Sequence, residues 1–135
     1  MKLEHIGIAV NDLTGMEETL TKVLGIQSYK KEIVESEGVL TSFFKVGDAK
    51  VELVTSTNTD AALHKYLEKN GNGLHHIAFN CESLDAELSR LQMEGFEVIK
   101  GYPRPGADNK RVAFLHPRGT GKILIELCED ISEAQ

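Results

Sequence analysis

Polar or small residues alternate with aliphatic ones over residues 3–10, so a strand there would set Ile6, Ile8 and Val10 on one face and His5, Gly7 and Ala9 on the other. The same grammar returns over residues 74–81, at an offset of 71 residues, with Ile77 and Phe79 on one side and His76, Ala78 and Asn80 on the other. Each segment then runs through Asn11-Asp12-Leu13 or Glu82-Ser83-Leu84 into a stretch of helical period. Thr14 and Glu17 have the spacing of a capping box, and Gly25 suits the left-handed stop of a first helix ending near Leu24. A second helix opens near Ser83 and stops at Gly95.

Strand-like stretches follow at about residues 27–35, 39–46 and 50–55, and again at about 96–100, 111–115 and 122–128. Gly47-Asp48 breaks the first set, and Pro103, Pro105, Gly106 and His116-Pro117 break the second. A connecting helix over about residues 61–69 begins behind Asp60, stops near Gly71 and carries an apolar stripe of Leu63, Tyr66 and Leu67. Each half therefore reads as βαβββ. The fold class is α+β, with two tandem modules at about residues 3–55 and 74–129 forming one concave mixed sheet in a single domain spanning 1–135.

At 135 residues with 41% hydrophobic and 27% charged positions, the chain can bury a core without disulfides. Cys81 and Cys128 form no Cys-x-x-Cys pair and read as packed, reduced thiols. A formal charge of −6 argues against a nucleic-acid or anionic-membrane partner, both of which need a positive field. No apolar run of membrane-spanning length occurs and the first strand starts within two residues of Met1, so a cytoplasmic location is expected.

Four polar residues interrupt the apolar pattern. His5 and His76 share their strand faces with very small residues. Glu52 stands between Val51 and Leu53, and Glu126 breaks the run from Ile123 through Ile125 to Leu127, whose aliphatic members are expected on the helix side. A carboxylate in such a strand is costly to desolvate unless a cation or hydrogen bonds accompany it. A lone strand histidine is usually structural, but His-to-Glu separations of 47 and 50 residues at matching points of two modules point to one metal site. Two imidazoles and two carboxylates suit a divalent ion such as Co2+, Mn2+, Ni2+ or Zn2+, and the lack of thiolate disfavours a closed structural zinc site. An octahedral ion with four protein ligands keeps two positions for two oxygens of one substrate.

These segments, with Val46-Gly47-Asp48, Gly73-Leu74-His75-His76, Pro103-Arg104-Pro105-Gly106 and Val112-Ala113-Phe114-Leu115-His116-Pro117, resemble the vicinal oxygen chelate superfamily over about residues 3–129, and within it the methylmalonyl-CoA epimerases. The resemblance implies that His5, Glu52, His76 and Glu126 hold a divalent metal, Co2+ foremost, in a homodimer acting on a small acyl-CoA. It further implies that the C2 configurations of methylmalonyl-CoA are interconverted, with Glu126 and Glu52 as the catalytic carboxylates.

The position of a second family glutamate falls on Thr41, which leaves a water, Glu52 or Glu37 to carry the other proton. Substrate contacts are expected at Thr41, Arg104, Lys110, Arg118 and Gly119, the bases belonging to a patch at residues 100–122 that has six basic residues and the single acid Asp108. A glyoxalase I-like lactoylglutathione lyase and a non-catalytic small-molecule binder of the same fold are the competing readings.

Overall fold

The computed structural model describes residues 1–131. The chain divides into two compact units, residues 5–75 and residues 1–4 with the chain from His76 onward. No helix among the described residues is long and apolar enough to cross a membrane.

The first unit contains β1 (Lys2–Ala9), whose first residues fall to the other unit, then α1 (Leu13–Leu24), β2 (Lys30–Val34), β3 (Val39–Val46), β4 (Ala49–Ser56) and α2 (Ala62–Asn70). The strands lie in the order β2-β3-β4-β1, antiparallel except for the parallel β1–β4 pair. Strand alternation buries one face under α1, where Leu13 packs with Val10, Phe44 and Leu53, and Met16, Leu20 and Leu24 extend the contact. Each fully buried aliphatic side chain there contributes roughly 1.5–3 kcal/mol.

The cap of α1 differs from the expected box. Asp12 is the N-cap, its carboxylate accepting from the Gly15 N–H at 3.0 Å, because the helix begins earlier than the Thr14–Glu17 spacing suggested. Glu17 instead accepts from the buried Ser42 hydroxyl at 2.6 Å and pairs with Lys31 at 2.9 Å. Gly25 closes the helix at φ +71 as expected.

The connecting helix does more than connect. Leu63 and Leu67 of α2 pack on Ala9 and Val54, with Val39 and Tyr66 beside them. Ala9 and Val54 lie on the face that His5 and Glu52 share, so α2 covers one end of that face and leaves the rest to other chemistry.

The second unit contains β5 (Gly73–Asn80), α3 (Leu84–Met93), β6 (Arg104–Pro105), β7 (Lys110–Leu115) and β8 (Ile125–Asp130), in the strand order β5-β8-β7-β6. Ser83 caps α3 by accepting from the Ala86 N–H at 3.3 Å. Leu84, Leu88 and Leu91 bury against Ala113, Leu115 and Leu127.

Two strand expectations fail here. Residues 96–100 form only an isolated bridge, Val98 to Leu115, and the edge strand is β6, held to two residues by prolines that cannot donate to a sheet. β8 starts at Ile125 because Gly121 and Lys122 turn the chain at positive φ, which leaves Ile123 53% exposed and off the helix side.

Candidate metal-binding and catalytic site

In the first unit, the parallel register sets Gly7 beside Glu52, and the missing side chain of Gly7 leaves room for His5 two residues away on the same face. His5 Nε2 lies 3.6 Å from Glu52 Oε1, and the two residues are 4% and 5% exposed. Phe43 of β3 is directly opposite Glu52 and meets the His5 ring edge-on at 6.4 Å.

The second unit builds the same group from its own residues. Ala78 sits beside Glu126, His76 Nε2 is 3.5 Å from Glu126 Oε1, and both charged side chains are buried. Phe114 is opposite Glu126 and meets His76 edge-on at 6.1 Å. The two phenylalanines were missed in the sequence, although they repeat at the same 71-residue offset as the histidines. Alternation gave no signal for them, because Phe43 shares its face with Val39, Thr41 and Lys45 and Phe114 shares its face with Lys110 and Val112; only the common offset marks the pair.

A carboxylate at this depth needs a positive partner. Within each unit, an imidazole nitrogen and a carboxylate, without sulfur, make a donor pair of the kind a divalent cation of borderline hardness takes.

The other expected site residues divide. Thr41 does lie on the site face, two residues from Phe43, but is 1% exposed and donates its hydroxyl to the Glu32 carbonyl at 3.2 Å. Arg104 is half-buried, with its guanidinium 4.4 Å above the Tyr102 ring and Nη2 donating to the Tyr102 hydroxyl at 3.1 Å. Tyr102 in turn meets Phe114 edge-on at 5.1 Å, so a line of rings joins Arg104 to His76.

Lys110 departs from its expected role. It is buried at 7% exposure and pairs with Glu4 at 3.7 Å and with Asp130, so its ammonium is engaged by two carboxylates within the unit. Arg111 is likewise engaged by Asp85 at 3.1 Å and Glu129 at 3.2 Å. Arg118 is exposed and pairs with Glu97, whose carboxyl it holds below the usual range by its hydrogen bond and charge. Gly119 closes the short 3-10 turn Pro117–Gly119 beside Phe96. Three of the six bases, Lys110, Arg111 and Arg118, are thus paired with acids outside the stretch, which a count along one segment could not see.

Both thiols are buried and reduced, with Cys128 donating to the Phe79 carbonyl at 3.5 Å. Burial pushes the Cys128 thiol well up, aided by the charges of Glu126 and Glu4, and burial likewise raises Cys81.

Residues 4–114 match the Glyoxalase/Bleomycin resistance protein/Dioxygenase superfamily. The chain is 41% identical to the uncharacterized protein YqjC of Bacillus subtilis over 95% of its length and 91% of the relative's. It is 33% identical to the ethylmalonyl-CoA/methylmalonyl-CoA epimerase of Cereibacter sphaeroides, over 93% of this chain and 96% of that one. Its fold superposes with a TM-score of 0.92 on a variant of Streptomyces coelicolor methylmalonyl-CoA epimerase in complex with 2-nitronate-propionyl-CoA, at 33% identity over 98% of this chain and 99% of that chain. On its duplicated βαβββ modules, its paired His–Glu groups and these likenesses, the chain belongs to the glyoxalase/bleomycin resistance protein/dioxygenase superfamily, among relatives that include methylmalonyl-CoA epimerases.

Proposed function

We propose that this chain is a metal-dependent epimerase that interconverts the C2 configurations of methylmalonyl-CoA. The observation that carries the reading is the buried His–Glu pair, made twice, in a chain similar along nearly its whole length to an ethylmalonyl-CoA/methylmalonyl-CoA epimerase.

His5, Glu52, His76 and Glu126 would together hold one divalent ion, with Co2+ the first candidate. When bound, such an ion supplies a Lewis acid for the charge that develops on the thioester oxygen as C2 loses its proton. Glu126 carries the proton on one face of C2, since a buried carboxylate beside an imidazole is a base whose position is already fixed. Glu52 holds the other half of the ligand set. Phe43 and Phe114 keep the two imidazole planes in place and limit water at the reacting carbon. Arg104, held by Tyr102, faces the negative end of the substrate from the edge of its unit. A homodimer is the expected assembly, and sedimentation at assay concentration checks it.

The test is proton exchange at C2. Protein reloaded with Co2+ and given methylmalonyl-CoA in deuterated water replaces the C2 proton and equilibrates the two configurations, as followed by proton NMR and chiral analysis. A metal-loaded protein that leaves that proton in place refutes the epimerase. Conversion of the hemithioacetal of glutathione without C2 exchange would instead assign a lyase of the glyoxalase I kind.

A further inference from the structure

Residues 70–73 read Asn-Gly-Asn-Gly and hold both Asn-Gly dipeptides of the sequence. They join α2 to β5, with Asn70 the last residue of the helix and Gly73 the first of the strand. Both asparagines are exposed, and both lie in the compact unit of residues 5–75. An asparagine followed by glycine is prone to cyclise, because no Cβ hinders the glycine nitrogen as it approaches the side-chain carbon of the asparagine. The surroundings of the two asparagines differ at the atoms that such a closure uses.

We propose that Asn72 is a site of spontaneous deamidation and isoaspartate formation, and that Asn70, in the same dipeptide context two residues away, is protected. The Gly73 nitrogen bonds to Asn72 Cγ, the Cγ–Nδ2 bond breaks, and Nδ2 takes the proton released from nitrogen and leaves as ammonia. The product is a cyclic imide. Water then adds to either imide carbonyl and opens the ring, to aspartate or to isoaspartate, in which the main chain runs through the former side-chain carbonyl. One water is consumed and one ammonia released, and nothing is oxidised or reduced.

At Asn72 the reacting carbonyl is activated. Its Oδ1 accepts from the Asn11 backbone N–H at 2.8 Å and from Asn11 Nδ2 at 3.3 Å. A backbone N–H only donates, so the oxygen of Asn72 and not its nitrogen faces Asn11. These two donors draw charge from Cγ and stand where negative charge develops during the attack, as an oxyanion hole does. Nδ2 donates to no group among the described residues, so ammonia leaves without breaking a hydrogen bond. Gly73 ends its strand, where local opening costs least.

Asn70 is held the other way round. The Gly71 N–H donates to the Leu67 carbonyl at 2.8 Å and Asn70 Nδ2 donates to the Tyr66 carbonyl at 3.0 Å. Nucleophile and leaving group are both tied to the last turn of α2, and each bond that has to open first raises the barrier. Among the described residues no donor meets Asn70 Oδ1. Isoaspartate at 72 would add a methylene to the main chain before β5 and take into that chain the carbonyl that Asn11 now meets, next to the Asp12 cap of α1.

The experiment ages the full chain in neutral buffer and follows each asparagine by peptide mapping and mass spectrometry, with isoaspartate counted by a carboxyl methyltransferase specific for that linkage. Asn72 is expected to convert at least about tenfold faster than Asn70, a barrier difference of about 1.4 kcal/mol. In urea, where only the shared dipeptide context remains, the two rates converge. Asn11→Ala removes one donor and slows Asn72 about fivefold, which corresponds to about 1 kcal/mol, while Asn70 is unchanged. Conversion of Asn70 as fast as Asn72 in the folded chain overturns the proposal. So does a faster Asn72 in Asn11→Ala, since the donors would then pin the side chain and not activate it. No metal or substrate enters the measurement, so its outcome is independent of the epimerase reading.

Discussion

Phe43 meets His5 edge-on, ring centroids 6.4 Å apart and planes at 82°, while standing directly across the β3–β4 pair from Glu52. One aromatic ring thus borders both members of a buried nitrogen–oxygen pair. Residues that orient metal ligands typically change affinity by about 10–100-fold when altered. Phe43→Leu is expected to weaken Co2+ binding about 10-fold while costing only about 1 kcal/mol of stability, because the volume is nearly kept. Chelator competition and urea denaturation measure the two quantities. Unchanged affinity would reduce the ring to core filling.

Glu52 and Glu126 occupy matching positions and should nevertheless behave differently. Both Glu52→Gln and Glu126→Gln lower metal affinity, since each removes a charged oxygen from a His–Glu pair. At metal concentrations that saturate both variants, Glu126→Gln loses C2 exchange with an epimer that Glu52→Gln still exchanges. Stopped-flow exchange at matched occupancy decides it, and equal rates would remove Glu126 as the proton carrier.

What the sequence disclosed followed from periodicity. His5 and His76 were visible because a histidine beside Gly7 or Ala78 breaks a two-residue alternation twice at one spacing, and the strand faces came out as expected. The role of α2 was hidden because its stripe is equally consistent with any apolar surface, and only the sheet register puts Ala9 and Val54 beneath it. Lys110 misled for the converse reason: its partners Glu4 and Asp130 are remote in the chain, so local charge counting left it looking solvent-facing.

Gly25 and Gly38 share a left-handed backbone, at φ +71 and +66, but not the same surroundings. A Cβ on Gly25 meets nothing within 4 Å, whereas one on Gly38 would stand 2.7 Å from Asn58 Nδ2 and 2.9 Å from the Ala61 Cβ. Gly25→Ala should therefore cost about 1 kcal/mol, the backbone penalty alone. Gly38→Ala should cost clearly more, about 2–3 kcal/mol, and loosen the start of α2. Urea midpoints of the two variants give the comparison, and equal values would contradict it.

The buried thiols predict an alkaline limit. Folding raises the Cys128 pKa above its unfolded value of 9.0, so the unfolded chain gives up this proton first as pH rises. The stability tied to the neutral thiol is fully present below pH 9.0 and is lost as pH climbs through and beyond that value, by up to about 1.4 kcal/mol per pH unit. Cys128→Val should flatten that decline between pH 9 and 11, measured by denaturation across the range, and a slope equal to the parent's would place its origin elsewhere. Neither Cys81 nor Cys128 should react with a thiol reagent in the native protein at neutral pH, and both should do so in denaturant.

Lys110 gives the sharpest separation of structure from substrate binding. Its side chain is 9% exposed against 11% for Glu4, so removing the ammonium takes away a positive partner of a poorly solvated carboxylate. Lys110→Met should therefore destabilise by about 3 kcal/mol, at the low end for a broken buried pair because Asp130, Lys110's second partner, is itself mostly exposed. Adding Glu4→Gln removes the stranded carboxylate, so the double variant should be more stable than Lys110→Met alone, a coupling that urea denaturation measures. In that double variant the KM for the acyl-CoA should match the parent's, since the ammonium is already engaged by Glu4 and Asp130. A KM raised tenfold in a folded, metal-loaded double variant would return Lys110 to the substrate site and sink the structural assignment.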